Sequence, residues 1–334
     1  MQFFAALHAL GGFTCMLLPL LLAGTVAHAQ VSAWKPDKTV ELVVGSSPGG
    51  GTDITARTLQ KIFQDQKWLD TVLVVNKPGG GQTVAWAYLN QVPGDAHRVS
   101  ITNEPLITNQ IMGISKQNYT DFTPLGLLFK EYIVFTVKPD STLKNGADLV
   151  RDLKKDIGAL SFGQGSSRGN NANIAISLLG KAVGGDIKRQ KMVVLKSGGE
   201  TMVSLMGGHI DVGVSTIAAA IQHLKENRVR ALAVTSAKRL GGDLADVPTW
   251  KERGVELVYG SWRVVFGPRG LTDAQVAYWQ DLLHRAVATP EWKKELEKNQ
   301  QDDNYLPARE TRKFLDAEAA RLKPLFSDIG LSNP

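Results

Sequence analysis

The 334-residue sequence contains a single cysteine, Cys15, so no intrachain disulfide can form and stability has to come from buried apolar surface. Charge is missing from one end. The first 29 residues hold no Asp, Glu, Lys or Arg, carry an apolar run from Met16 to Ala23, and finish on Ala27-His28-Ala29, the small-residue pattern of a secretory cleavage site. The run is short for a membrane span and is broken by Pro19, Gly24 and His28. Residues 1–29 are therefore read as an export signal cut before Gln30, which removes Cys15 from the mature chain. No Leu-x-x-Cys end signals lipid attachment.

Other absences exclude whole classes of function. Lys and Arg outnumber Asp and Glu by 38 to 32, but they are scattered among acids without a basic run, so nucleic acid is not expected as a partner. The mature histidines form no metal-ligand spacing such as H-E-x-x-H, and no metal or cofactor is expected. Gly49-Gly50-Gly51-Thr52 lacks the Lys that a P-loop places after its last glycine. Gly163-x-Gly165-x-x-x-Gly169 is one residue too long for the dinucleotide fingerprint.

What is present is a 43% hydrophobic chain in which short apolar runs alternate with amphipathic stretches, the pattern of an α/β protein with mainly parallel strands. Strands are expected at Val40 to Val44, Val72 to Val75 and Val99 to Thr102, with helices at Thr52 to Gln64 and Gln82 to Asn90 between them. Tyr132 to Val137 is β-rich and is followed by a Lys138-Pro139-Asp140-Ser141 turn, a natural domain crossing. A second series then runs through helix Ala147 to Lys155 and strands Ala159 to Phe162, Met192 to Leu195, Ile210 to Val214 and Val229 to Thr235. Strand Tyr259 to Phe266 makes the return crossing, and three helices after it are expected to pack back on the first lobe.

The stretch Leu42 to Arg57 ends an apolar run in a glycine-rich turn, with Thr52 and Asp53 suited to the helix N-cap. Such a turn aims unpaired backbone N–H groups and the positive end of the helix dipole at its loop, an anion cradle that needs no Lys or Arg. It has a second copy. Gly45-Ser46-Ser47-Pro48-Gly49 and Gly165-Ser166-Ser167-Arg168-Gly169 share the pattern GSSxG, each after a strand and before a helix. Thr102-Asn103 and Ser197-Gly198 occupy further strand ends, where ligands of open parallel sheets bind. Trp262-Arg263 offers either an aromatic wall with a guanidinium for a carboxylate or core packing at the crossing.

GSSxG also matches the nucleophile elbow G-x-S-x-G. Ser167 as nucleophile, Asp211 or Asp243 as orienter and His223 or His284 as base would stand in the right chain order. Both histidines fall in helical stretches, however, whereas a triad base sits on a loop, and one elbow does not explain two loops.

From Lys38 to Leu331 the chain resembles the periplasmic receptors of tripartite tricarboxylate transporters, the Bug receptors. The resemblance is carried by Pro48-Gly49-Gly50-Gly51-Thr52-Asp53 with Ala56-Arg57, Val75-Asn76-Lys77-Pro78-Gly79-Gly80-Gly81, Tyr119-Thr120-Asp121-Phe122-Thr123-Pro124, Gly207-Gly208-His209-Ile210-Asp211, Arg230-Ala231-Leu232-Ala233-Val234-Thr235, Val247-Pro248-Thr249, and Trp262-Arg263 with Gly267-Pro268. Gly94-Asp95 and the Trp-Arg pair look closest to the citrate-receptor subgroup. The resemblance implies a two-lobed Venus-flytrap binding protein of type II, without catalysis, in the periplasm. Lobe 1 would comprise 30–133 and 256–334, and lobe 2 would comprise 134–255. A monomer would bind a di- or tricarboxylate, citrate-like or aromatic, and deliver it to membrane permease subunits; a sensing role is the related alternative. The implied ligand-binding residues are Ser46, Ser47, Gly49, Gly50, Gly51, Thr52 and Asp53 on one loop and Gln164, Gly165, Ser166, Ser167, Gly169 and Asn170 on the other. Thr102, Asn103, Ser197, Gly198, Asp211 and Arg263 complete the set. Asn170 and Asn173 depart from the Gly-Ser-and-His pattern common in the family's second loop, as Leu195-Lys196 departs from the family's Tyr before its later Gly-Gly turn.

Overall fold

A computed structural model describes residues 34–165 and 167–332; the expected export signal with Cys15, and Ser166, lie outside them. The first series is β1 (Val40–Val44), α1 (Gly51–Asp65), β2 (Val72–Asn76), α2 (Thr83–Leu89), β3 (Arg98–Thr102) and α3 (Pro105–Ile111). Strand β1 lies between β2 and β3 and is parallel to both. Covered on both faces, it reads as a nearly continuous Val/Leu run.

Next comes β4 (Thr123–Val137), which is 15 residues long. The second series is α4 (Gly146–Lys155), β5 (Ser161–Gly165), α5 (Asn171–Ala182), β6 (Lys191–Leu195), α6 (Gly198–Met206), β7 (Val212–Thr216), α7 (Ile217–Lys225) and β8 (Arg230–Val234). Here β5 is the central strand, parallel to β6 and β7, so the second series repeats the arrangement of the first. The return consists of β9 (Gly260–Gly267), α8 (Asp273–Ala288), α9 (Pro290–Lys298), β10 (Asp302–Pro307) and α10 (Ala308–Asp328).

The strand order is β2-β1-β3-β9-β4-β7-β5-β6, with β8 and β10 also paired to β4. The result is two lobes, each a parallel triad, with the antiparallel pairings gathered on the strands that join them. β4 is the spine of that junction: Thr123 to Tyr132 pairs with β9, while Ile133 to Val137 pairs with β7 and β8. Only its second half is β-rich in sequence, because Pro124 and Gly126 interrupt the first half and the register shifts there.

Thr235 ties the two crossings together. Its hydroxyl accepts from Ile133 N at 2.9 Å and donates to Tyr259 O at 2.7 Å. Its backbone N donates to Ile133 O at 3.0 Å, and its carbonyl accepts from Tyr259 N at 2.9 Å. Helices α8 and α9 bury Trp279, Leu282, Trp292 and Leu296 against Leu59 and Phe63 of α1, in the first lobe's own core. The last helix packs on β4, α3 and β10 and also extends beyond them. At 21 residues, α10 is about 30 Å long, and its far end reaches α5, where Lys181 Nζ meets Asp328 Oδ2 at 3.0 Å. Among the described residues no helix is long and apolar enough to cross a membrane.

Candidate functional site

The two GSSxG loops share one construction. Gly49 and Gly169 both adopt the left-handed backbone, with φ of 79° and 73°, which glycine enters without the steric cost of a Cβ. Each donates its N–H to a side chain four residues on: Gly49 N to Asp53 Oδ2 at 2.9 Å, and Gly169 N to Asn173 Oδ1 at 2.8 Å. Asp53 also accepts from Arg57 Nε and Asn76 Nδ2, both at 2.9 Å. The bond to Asp53 raises the Arg57 pKa. Asp53 is thus the anchor of the first loop, and Asn173 is its counterpart in the second.

The loops face one another across a narrow cavity of about 40 Å³. The first lobe contributes Ser46, Gly50, Gly51 and Thr52, with Gln82 and Asn103 beside them. The second contributes Gly165, Asn170, Asn171 and Ala172 after β5, Ser197 and Gly198 after β6, and Val214, Ser215 and Thr216 at the end of β7. Four helices of nine or more residues, α1, α5, α6 and α7, have their N-cap residues on this cavity, and each leaves its first N–H groups without intrahelical partners. Two of them cap themselves: Asn170 Oδ1 accepts from Asn173 N at 2.8 Å, and Ser197 Oγ accepts from Glu200 N at 3.1 Å. The other two do not. The N-caps Gly50 of α1 and Thr216 of α7 provide no side-chain cap, and Thr216 Oγ1 has no partner among the described residues. One uncapped helix start thus comes from each lobe, which concentrates free donors and positive dipole ends on the same small space.

The lobes are closed on each other. Thr108 Oγ1 of α3 donates to Gly169 O at 2.7 Å, and Asn171 Nδ2 donates to Ser261 Oγ of β9 at 3.1 Å. A Cβ placed on Gly199 would lie 3.1 Å from Gly49 O, and one on Gly51 would lie 3.0 Å from Arg263 Nη2 and 3.2 Å from Thr216 Oγ1. A larger hollow of about 590 Å³ between Lys35, Trp68 and Tyr278 borders none of the sequence-derived site residues.

Arg263 closes the cavity wall from β9, bonded through Nη2 to the buried carboxylate of Glu131. Its neighbour Trp262 turns into the core, its indole N–H donating to Glu318 Oε1 at 3.2 Å. Behind Asn103, the fully buried Glu104 accepts from Ser261 Oγ at 3.2 Å and Trp262 N at 3.3 Å. Burial pushes its pKa from 4.5 up to about 7.

Several sequence-derived residues do not reach the cavity wall. Asp53 lies inside α1, one residue past the wall residue Thr52; neither is the N-cap, which is Gly50, and the Asp53 carboxylate is taken up by the loop. Ser47 and Gly49 are at the loop's outer side. Thr102 turns its hydroxyl onto Gln82 Oε1 at 2.8 Å, and Gln82 Nε2 in turn holds Asn103 Oδ1 at 2.8 Å. Gln164 on β5, and Ser167 and Gly169 within the second loop, are not on the wall. Asp211 is the largest displacement: it precedes β7 and bonds Ser161 at the start of β5, so it sits at the opposite end of the strands. Gln82, Asn171, Ala172 and the segment Val214 to Thr216 were missed. Thr216 was within reach, because the carboxyl-end rule finds it once the strand is extended two residues past Val214.

Ser167 Oγ has no hydrogen-bond partner among the described residues, so no histidine activates it and the elbow reading has no base. Among those residues no group of three or more His, Cys, Asp or Glu is placed to hold a metal ion.

A family model described as tripartite tricarboxylate transporter family receptor matches residues 55–331. The chain is 26% identical over 270 residues to protein BugT of Bordetella pertussis, covering 79% of each chain. It is 24% identical over 331 residues to a UPF0065 protein of Cupriavidus necator, covering 97% of each. The periplasmic binding protein BugD has a similar fold, with a TM-score of 0.82 and 23% identity over 90% of this chain and 100% of that one. So do Rpa4515 of R. palustris with adipate, at 0.82 and 23% over 89% and 99%, and MatC of Rhodopseudomonas palustris with bound malate, at 0.76 and 21% over 87% and 99%.

Proposed function

The chain belongs to the tripartite tricarboxylate transporter receptor family, periplasmic solute-binding proteins rather than enzymes, and from that premise we propose that it captures an aliphatic di- or tricarboxylate between its lobes. As a monomer it then delivers the acid to the permease subunits of such a transporter. The lobes divide at the crossings, with 30–133 and 256–334 in one and 134–255 in the other. One carboxylate rests on the N–H groups and hydroxyls of the Ser46 to Thr52 loop. The other rests between Gly165, Asn170, Gly198 and Thr216, with Arg263 alongside.

The observation that carries this reading is the meeting of the uncapped starts of α1 and α7, one from each lobe, at one cavity. Hydrogen bonds to a charged group contribute roughly 1.5 to 3 kcal/mol each. A ligand touching both lobes gains them only when the lobes close, which is the differential affinity that closure requires. Adipate and malate, held by two proteins of this fold, support the ligand class. Among the described residues lining the cavity none is aromatic, which favours aliphatic over aromatic acids.

A thermal-shift screen tests the proposal, since a ligand that binds only the folded state raises the melting temperature. Malate, succinate, adipate or citrate should raise it and benzoate should not. A screen in which no aliphatic acid stabilises the protein sinks the reading.

A further inference from the structure

Arg263 and Glu131 are each only 1% exposed, and they stand on the two strands that connect the lobes, β9 and β4. Arg263 Nη2 is bonded to Glu131 Oε1, and the other Glu131 oxygen accepts from Gln301 Nε2 at 3.2 Å. The guanidinium borders the cavity and Glu131 does not. Arg263 Nε has no partner among the described residues, so the guanidinium keeps an unused donor. Burial disfavours the ionised form of Glu131, and Arg263 opposes that effect.

Among the described residues lining the cavity, Arg263 is the one Lys, Arg or His, and none is Asp or Glu. The other donors are hydroxyls, amides and backbone N–H groups, which carry partial charges only. The full positive charge of Arg263 is therefore paired with the buried Glu131 carboxylate, which does not line the cavity.

We propose that Glu131 is a specificity-determining residue, a built-in counter-charge that sets how many carboxylates the cavity accepts and favours acids with one or two negative charges over trianions. This rests on the carboxylate-receptor reading and narrows it. A carboxylate brought up to Arg263 also feels Glu131, which is bonded to the same guanidinium, so the attraction of one is partly offset by the repulsion of the other. Each further ligand charge then loses solvation without an unmatched cation to receive it.

The test is Glu131→Gln, which keeps the side-chain shape and leaves Arg263 unmatched. Affinities for butanoate, succinate and propane-1,2,3-tricarboxylate are measured by calorimetry at pH 8 and fixed ionic strength, where all three acids are ionised. The wild type should prefer succinate to the tricarboxylate, and Glu131→Gln should raise the tricarboxylate-to-succinate affinity ratio about tenfold or more. The double variant Glu131→Gln with Arg263→Gln, which buries no unmatched charge, should return the ratio to the wild-type value. A ratio in Glu131→Gln within twofold of wild type overturns the inference. So does a double variant whose ratio rises tenfold, a comparison that stands even if the single variant does not fold. If the wild type binds none of these acids, the receptor reading fails as well; if it binds them and the ratios do not move, only the role of Glu131 fails.

Discussion

Thr108 donates its hydroxyl proton to the carbonyl of Gly169 over 2.7 Å, and so a helix of one lobe holds the glycine loop of the other. The bond can exist only while the lobes are closed. Thr108→Val keeps the volume and removes the donor, and a net hydrogen bond contributes about 1 kcal/mol. Calorimetric titration should show affinity weakened roughly five- to tenfold, with the unliganded melting temperature nearly unchanged. Unaltered affinity would mean that closure does not depend on this contact.

Gly51 lies at a close approach of the two lobes: a Cβ there would be 3.2 Å from Thr216 Oγ1 of the second lobe and 3.0 Å from Arg263 Nη2. Its backbone is not left-handed, so Gly51→Ala suits the first turn of α1 and should leave the fold intact. It should weaken ligand binding at least about tenfold by propping the lobes apart, an expectation read from the same titration.

Asp53 anchors the first loop through Gly49, Arg57 and Asn76 while buried to 2% exposure. Asp53→Ala leaves Gly49 N and Asn76 Nδ2 without this acceptor and should lower stability by about 2 to 3 kcal/mol, measured by urea unfolding. A change below about 0.5 kcal/mol would place the loop's rigidity elsewhere.

These residues mark where the sequence was legible and where it was not. The duplicated GSSxG pattern located both loops because a left-handed glycine at a strand-to-helix turn is a local requirement. The roles of Asp53 and Asn173 were hidden, since an acid or amide at the start of a helix serves equally as cap, loop anchor or ligand contact, and only the fold tells these apart. Asp211 was misplaced for a different reason. It precedes a strand rather than following one, and the end of the sheet it occupies depends on the strand's start. β4 was half invisible because Pro124 and Gly126 mask a strand whose pairing is set by distant residues, and β10, Asp-Asp-Asn-rich, has no β pattern of its own.

Glu104 makes stability depend on pH. Its pKa is raised by burial from 4.5 to about 7, so the folded protein holds this proton more tightly than the unfolded chain. The stabilisation is fully present below pH 4.5 and is lost as pH rises to about 7, a loss of roughly 3 kcal/mol for a shift of this size. Glu104→Gln should flatten the fall in urea midpoint over that interval relative to wild type. Parallel profiles for the two proteins would show that Glu104 titrates normally.

The most direct measurement is calorimetric titration of the protein with succinate, malate and adipate, alongside Gly51→Ala. Saturable binding at one site per chain, weakened at least about tenfold in the variant, is the outcome that a carboxylate held between the starts of α1 and α7 requires. Absence of binding by the wild type, or binding that Gly51→Ala leaves untouched, would contradict it.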